Sequence, residues 1–349
     1  MSKLYTNPFI WGKPVSGNTY ISRTTLEQDI QSCLEKERKF ILTGYRGTGK
    51  TSLVQKLLSK DQGDSIYLDL SFVVDGSSLI HLLSKMIRKS IPAFKDDSRL
   101  KLSAEGVIEI SVGDLIQILN DHGKTEKKRV IIVWDEFQHV VKLKENTLRE
   151  IKGGLKGCRH ILSIFVSHRE DLMIEAFKKK GDKVLPRSSH MNLENIDVSD
   201  FRSYLTRLFR RMGLTDFDLP DSVLKFTNGQ AHLTQRLASV VASCWLEGNT
   251  TRLLDRSLKK LLNEEDANFS ISWDQFGVNE KRLFLGLANG FSRPTELSFI
   301  NRFGLSATST AHNTVLKLLR EGWLINRDEG YYIYDPLFLQ WLMLRNDIS

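Results

Sequence analysis

Apolar and polar positions alternate in two different ways along this chain. Over roughly the first 195 residues, short apolar runs are separated by amphipathic stretches. Phe40–Leu42, Ser65–Leu70, Val130–Val133, His160–Val166 and His190–Leu193 read as strands, and the uninterrupted Val130–Val133 run predicts a strand buried on both faces. Thr25–Lys36, Ser52–Leu58 and Ser78–Ile87 carry helical spacing, with Leu53, Val54, Leu57 and Leu58 on one face of the second. Strands alternating with helices predict an α/β fold around a parallel sheet. From Asp197 to about Leu262 the pattern is helical throughout, with Ser199 and Asp200 as caps, Gly213 as a stop and Pro220 as a restart. The final segment, Trp273–Leu344, predicts helices over Asn279–Ala288, Pro294–Arg302 and Ser306–Arg320. Two strand-like runs, Trp323–Ile325 and Tyr331–Tyr334, then flank the turn signal Asp328-Glu329-Gly330. Helices followed by a hairpin make the winged variant of the helix-turn-helix.

Chemistry enters between the first strand and its helix. Gly44-Tyr45-Arg46-Gly47-Thr48-Gly49-Lys50-Thr51 is a complete G-x-x-x-x-G-K-[ST] phosphate loop in the strand–loop–helix context that makes the pattern specific. A loop that wraps a phosphate turns its N–H groups inward through conformations that glycine adopts freely. The helix behind it aims its N-terminus at the same anion. Lys50 is placed for the β and γ phosphates and the Thr51 hydroxyl for Mg²⁺, so residues 44–52, Ser52 included, are the expected ATP contacts. Asp135 and Glu136 follow the buried Val130–Val133 strand, at the end where open α/β sheets keep their ligand chemistry. The spacing suits a Walker B element: Asp135 for the metal, Glu136 to orient and polarise the attacking water.

Composition narrows the class. The 349 residues, 41% hydrophobic and 26% charged, are ordinary globular values and allow two or three domains. No apolar run approaches the roughly 20 residues that span a bilayer, and the opening MSKLYTNPF carries no signal-peptide core, so a cytoplasmic protein is expected. Cys33, Cys158 and Cys244 are too scattered for a metal spacing or a disulfide framework and read as reduced and structural. The formal charge is +8, yet residues 250–349 balance 12 Lys+Arg against 12 Asp+Glu, so the excess lies in residues 1–249. Basic runs there include Arg88, Lys89, Lys95, Arg99 and Lys101, then Lys124, Lys127, Lys128 and Arg129, then Lys178, Lys179, Lys180 and Lys183. Such runs are either solvated loops or a track for a phosphate backbone.

Further features resemble the AAA+ ATPases of the archaeal-ATPase type, close to the STAND signalling class and to archaeal replication initiators. The lead-in Asn7, Pro8, Phe9, Gly12, Pro14, Val15, Arg23 and, one position late, Glu27 matches that family's NPF-x-x-G-x-P-V…R-x-x-E pattern. Thr227-Asn228-Gly229-Gln230-Ala231-His232 resembles its lid turn, with His232 where the family has proline or arginine, and Arg236 one turn on. Tyr334-Asp335-Pro336-Leu337-Phe338…Trp341-Leu342 resembles its DP-x-F-x-x-W-L tail. The resemblance implies a P-loop NTPase of the glutamate-catalytic branch: parallel sheet, helical lid and C-terminal winged-helix domain, with boundaries at 1–195, 196–265 and 266–349. It also implies base contacts near Pro8, Phe9 and Ile21, and lid contact at His232. A polar sensor strand would lie between the phosphate-loop and Walker B strands, ending at Ser167 or, second, His168. Arg187 would reach a neighbouring subunit's nucleotide, with Arg169 and Arg202 as competitors. The expected activity is slow ATP hydrolysis in a homo-oligomeric switch that acts on DNA in replication, transposition or mobile-element defence. In the alternative expectation, a signalling or adaptor ATPase, the winged helix holds a protein partner.

Overall fold

The computed structural model describes residues 6–61, 63–100, 110–143, 145–177, 190–327 and 330–348. They pack as two compact units, one of residues 22–194 and one of residues 6–21 with residues 195–348.

The first unit runs α1 (Thr24–Lys36), β1 (Lys39–Thr43), α2 (Lys50–Leu58), β2 (Asp64–Asp69), α3 (Gly76–Ser90), α4 (Val112–Thr125), β3 (Val130–Asp135), α5 (Gln138–Val141), α6 (Glu145–Gly154), β4 (Ile161–Val166), α7 (Glu170–Phe177) and β5 (His190–Asn192). The strands form one parallel sheet in the order β2-β3-β4-β1-β5, so β4 is inserted between β3 and β1. Every residue of β3 and β4 is buried, which explains their continuous apolar runs. Alternate side chains serve two cores. Ile132, Trp134 and Phe165 face one that includes residues of α3 and α4, while Ile131, Val133 and Ile164 face another with Ile30, Leu34, Leu53 and Val54 of α1 and α2. The inserted β4 brings three strand ends side by side: the phosphate loop after β1, Asp135 and Glu136 at β3, Ser167 and His168 after β4.

Helix α4 is absent from the sequence-based expectation. It opens on a capping box, Ser111 and Asp114 exchanging hydrogen bonds with each other's backbone. Gly113 and Gly123 lower its intrinsic propensity. Packing explains Gly123, where a Cβ would lie 2.9 Å from the Lys128 carbonyl oxygen, whereas a Cβ on Gly113 would meet only ordinary contacts; the glycine that the close approach requires is Gly154 on α6, whose Cβ would lie 2.7 Å from the Gly113 Cα.

The second unit continues with α8 (Val198–Arg211), α9 (Leu219–Thr227), α10 (Ala231–Leu246), α11 (Leu253–Gln275), α12 (Val278–Ala288), α13 (Leu297–Phe303), α14 (Thr308–Glu321), an antiparallel hairpin of β6 (Leu324–Arg327) and β7 (Gly330–Ile333), and α15 (Pro336–Arg345). One apolar core runs through it from Phe9 to Leu342. The expected boundary between residues 265 and 266 falls inside α11, whose Phe269 and Trp273 pack with Phe276, Phe284, Phe338 and Trp341. Residues 294–296, expected to open the second winged-helix segment, instead precede α13, with Glu296 as its N-cap. The DP-x-F-x-x-W-L stretch is the helix α15: Asp335 accepts hydrogen bonds from the Leu337 and Phe338 amides, and Pro336 sits at the first position.

The lead-in up to residue 21 also belongs to this unit. The Asn7 amide donates to the Ser239 carbonyl at 2.8 Å and to the Ser239 and Ser243 hydroxyls. Phe9, 6% exposed, packs on Phe209 and Tyr204 with centroids 5.0 and 6.4 Å away. Its ring is therefore a core residue of the helical segment.

Candidate active site

The phosphate loop owes its shape to three glycines with positive φ, Gly44 (+147°), Gly47 (+80°) and Gly49 (+93°). At Gly44 no side chain fits: a Cβ would meet the Leu193 carbonyl oxygen at 2.5 Å. Gly49 is the N-cap of α2 in the left-handed conformation that releases the next amides toward an anion. Arg23 braces the loop from outside, its guanidinium donating to the carbonyls of Thr48 (2.8 Å) and Glu194 (2.7 Å). Glu27 in turn accepts from the Arg23 amide and the Ser22 hydroxyl. The R-x-x-E part of the lead-in thus acts on the loop, a role its sequence did not reveal.

Lys50 is 7% exposed, and its ammonium donates to the Gly44 and Tyr45 carbonyls at 2.8 Å each. An ammonium has three donors, so one remains for an anion. Burial lowers it to about 8, against the pull of Glu136 and Asp135. Thr48 is fully enclosed and closes the loop on the Tyr45 carbonyl, while Ser52 is buried on the first turn of α2. Tyr45 and Arg46 lie at the loop's outer rim.

Asp135 is buried, and its Oδ2 accepts from the Thr51 hydroxyl at 2.8 Å and from the Tyr67 hydroxyl on β2. Burial pushes its carboxyl above the usual range, and the hydrogen bonds from Tyr67 and Thr51 oppose that push. Burial and the charge of Asp135 likewise raise the Tyr67 phenol, so it stays a donor. The Thr51 hydroxyl and the Asp135 carboxylate are side by side, and both are the hard oxygen donors that Mg²⁺ prefers. Bound there, Mg²⁺ would supply a Lewis-acid charge beside the triphosphate.

Glu136 has φ +57°, an uncommon conformation for a residue with a side chain. Its Oε2 faces His168 Nδ1 at 3.0 Å and accepts from the Gln138 amide. Burial would raise its carboxyl, but these hydrogen bonds and the charges of His168 and Lys50 outweigh burial and hold it at about 2. It stays ionised, suited to orienting and polarising a water. Ser167, expected to face the γ-phosphate, is fully buried and gives its hydroxyl to Gln138 Oε1 at 2.7 Å. The group at this strand end that is one-quarter exposed is His168. Gln138, 1% exposed, was missed from sequence because a glutamine two places after the acidic pair carries no distinctive spacing.

Other expected residues lie apart from this cluster or outside it. Arg187 and the lysines at 178, 179, 180 and 183 fall outside the described residues. Arg169 pairs with Asp171, and Arg202 with Asp221, each at 2.7 Å. In the second unit His232 is exposed beside Trp11, and Arg236 covers the same indole while pairing with Glu264 and Glu265. The Lys124–Arg129 run precedes β3, so it lies at the edge of the sheet opposite Asp135 and Glu136. There Arg129 is bound to Asp61, while Lys124, Lys127 and Lys128 are exposed.

Comparison with known proteins agrees with this geometry. Residues 34–172 match the family model of an AAA domain, and residues 267–344 that of a probable winged helix domain. A Walker-type ATPase of Pyrococcus abyssi is similar over 94% of this chain and 97% of its own, with TM-score 0.71 and 18% identity. The ORC2 protein of Aeropyrum pernix, solved as ADPNP–ADP complexes, is similar over 99% and 96%, with TM-score 0.60 and 13% identity. The ORC1 protein of the same organism, solved in complex with DNA, is similar over 94% of both chains, with TM-score 0.53 and 12% identity. No curated protein matches the chain.

Proposed function

We propose that this chain, an AAA-domain ATPase with a C-terminal winged helix, is a molecular switch that binds ATP with Mg²⁺, assembles with copies of itself and acts on DNA. The observation that carries the nucleotide part is the convergence of Lys50 and Thr51, which open α2, with Asp135 at the end of β3, and with Glu136 beside them. Lys50 and the loop amides would hold the β and γ phosphates, and Thr51 and Asp135 the metal. Glu136, ionised and held by one oxygen, would orient the attacking water. Assembly would be favoured if a γ-phosphate bridged copies, with Arg187 the candidate to reach across. His232 and the backbone at Pro8 remain the lid-side and base-side candidates.

DNA is supported by the charge excess confined to residues 1–249, by the exposed lysines at 124, 127 and 128, and by the similar ORC1 protein having been solved with DNA. The test is duplex binding across a salt series with and without a non-hydrolysable ATP analogue. Affinity should fall steeply with salt, because each neutralised phosphate releases counterions. No binding at low salt in either nucleotide state removes the DNA reading.

A second reading, in which the winged helix holds a protein partner, is favoured by α14 itself. Lys317 is bound to Glu280, and the Arg320 guanidinium turns back on the Leu316 carbonyl at 3.1 Å. Leu316 is 40% exposed on that helix. These features suit an apolar, weakly charged contact better than a phosphate backbone.

A further inference from the structure

We infer that Gln138 is a positioning residue for ATP hydrolysis: its side-chain amide ties the end of the sensor strand to Glu136 and fixes which carboxylate oxygen meets the reacting water. The inference rests on the reading of Glu136 as the group that orients that water.

Glu136 decides which way the amide points. An ionised carboxylate only accepts, so Gln138 turns its NH₂ toward Glu136 Oε2, and the same nitrogen lies 3.2 Å from His168 Nδ1. Its oxygen is then left for the Ser167 hydroxyl, which donates to Gln138 Oε1 at 2.7 Å while Ser167 Oγ accepts from the Arg169 backbone N–H at 2.9 Å. Ser167 and Gln138 are 0% and 1% exposed, so water does not compete for these bonds. An amide suits a buried position that must accept on one side and donate on the other. A carboxylate there would repel Glu136, and an apolar side chain would leave both partners unsatisfied. Among the described residues, Glu136 Oε1 accepts no hydrogen bond, so the tie holds one oxygen and leaves its mate to the cleft. The backbone supports the same aim: at φ +57° Glu136 is set by its own amide on Asp135 Oδ1 (3.0 Å) and by the Phe137 amide on the Val166 carbonyl (2.9 Å). Strand β4 and the residue after it therefore hold the segment around Glu136 twice, by the Val166 carbonyl on the Phe137 amide and by the Ser167 hydroxyl on Gln138.

The experiment uses the 349-residue chain under conditions in which the wild type hydrolyses ATP. Gln138→Leu keeps the volume and removes both hydrogen bonds. Its kcat should fall by ~10–100-fold, the scale of losing the aim of one catalytic group. Affinity for a non-hydrolysable ATP analogue should stay within about twofold, since no phosphate or metal contact is touched. Ser167→Ala, which removes one of the amide's two anchors and keeps the bond to Glu136, should lower kcat less. In the Gln138→Leu background it should add nothing, because both variants cut one relay. A folded Gln138→Leu variant with unchanged or raised kcat overturns the inference, as does a loss that appears only in KM and analogue affinity. If Gln138→Leu does not fold, Ser167→Ala decides alone: lower kcat at unchanged affinity supports the relay, and unchanged kcat overturns it. Glu136→Gln separates the two readings. Full turnover in that variant defeats the role of Glu136 itself, whereas a stalled Glu136→Gln beside an active Gln138→Leu defeats only the relay.

Discussion

The two units differ in where their buried polar side chains gather. In the residue 22–194 unit, Lys50, Asp135, Gln138 and Ser167 are buried and converge on one end of the sheet. Each costs desolvation that an apolar residue would avoid, which is the arrangement expected of a site built for chemistry. In the other unit the interior is held largely by rings, Phe269, Trp273, Phe276, Phe284, Phe338 and Trp341 among them, and surface ion pairs include Arg202–Asp221, Lys260–Glu247 and Arg345–Asp266. Substitutions should therefore separate function from stability: polar changes in the first unit remove activity, and ring changes in the second remove folding free energy.

The largest effect expected is at Phe338. It is fully buried and touches Phe269, Phe276, Phe284, Trp323 and Trp341 with centroids 5.2–6.3 Å away. Phe338→Ala should destabilise its unit by about 3–5 kcal/mol, from lost burial and the cavity left behind. Denaturant unfolding followed by tryptophan fluorescence reads this directly, because Trp323 and Trp341 pack on the deleted ring. ATP affinity measured below the transition should be unchanged. An equal loss of ATP affinity would erase the contrast between the units.

Next comes Lys50→Ala, which should weaken ATP binding by ~100-fold or more, the scale of a charge-assisted contact in a buried site. Its melting temperature should hold or rise, since a desolvated ammonium is removed from the interior. Isothermal titration and a thermal melt on the same sample check both halves. Normal ATP affinity would contradict the site.

These two cases also explain what could be read from the sequence. Phosphate geometry dictates the spacing of residues 44–51, and a two-sided sheet dictates apolar runs, so the loop, the strands and the acidic pair were legible to within one to three residues. Packing has many solutions and leaves weaker marks. The Gly113–Gly154 approach that shapes α4 against α6 couples positions far apart in sequence, and no local pattern announces it. Phe9 matched a family pattern but answers to Tyr204 and Phe209, again distant in sequence. Gln138 and Tyr67 act on Glu136 and Asp135 through contacts that only the folded sheet creates. Short-range spacing revealed the residues expected to bind ATP, and tertiary contacts hid the ones that hold those residues in place.

The smallest effect bears on the winged helix. Lys317 is half-exposed and pairs with Glu280, which also accepts from the Gly277 amide at 2.8 Å, and Glu321 lies 4.0 Å away at the next turn. An exposed pair contributes up to about 1 kcal/mol, so Lys317→Ala should shift stability by no more than that. Its effect on DNA binding separates the two readings of α14. A lysine that neutralises a phosphate contributes about one unit to the slope of log affinity against log salt. Lys317 already has a carboxylate partner, and leaving it for a phosphate would strand Glu280, whose side chain is 10% exposed. The salt slope of Lys317→Ala should therefore equal that of the wild type, whereas alanine at Lys124, Lys127 and Lys128 together should flatten it by two to three units. A slope reduced by one in Lys317→Ala alone would place DNA on α14 and leave the basic edge of the sheet as a solvated surface.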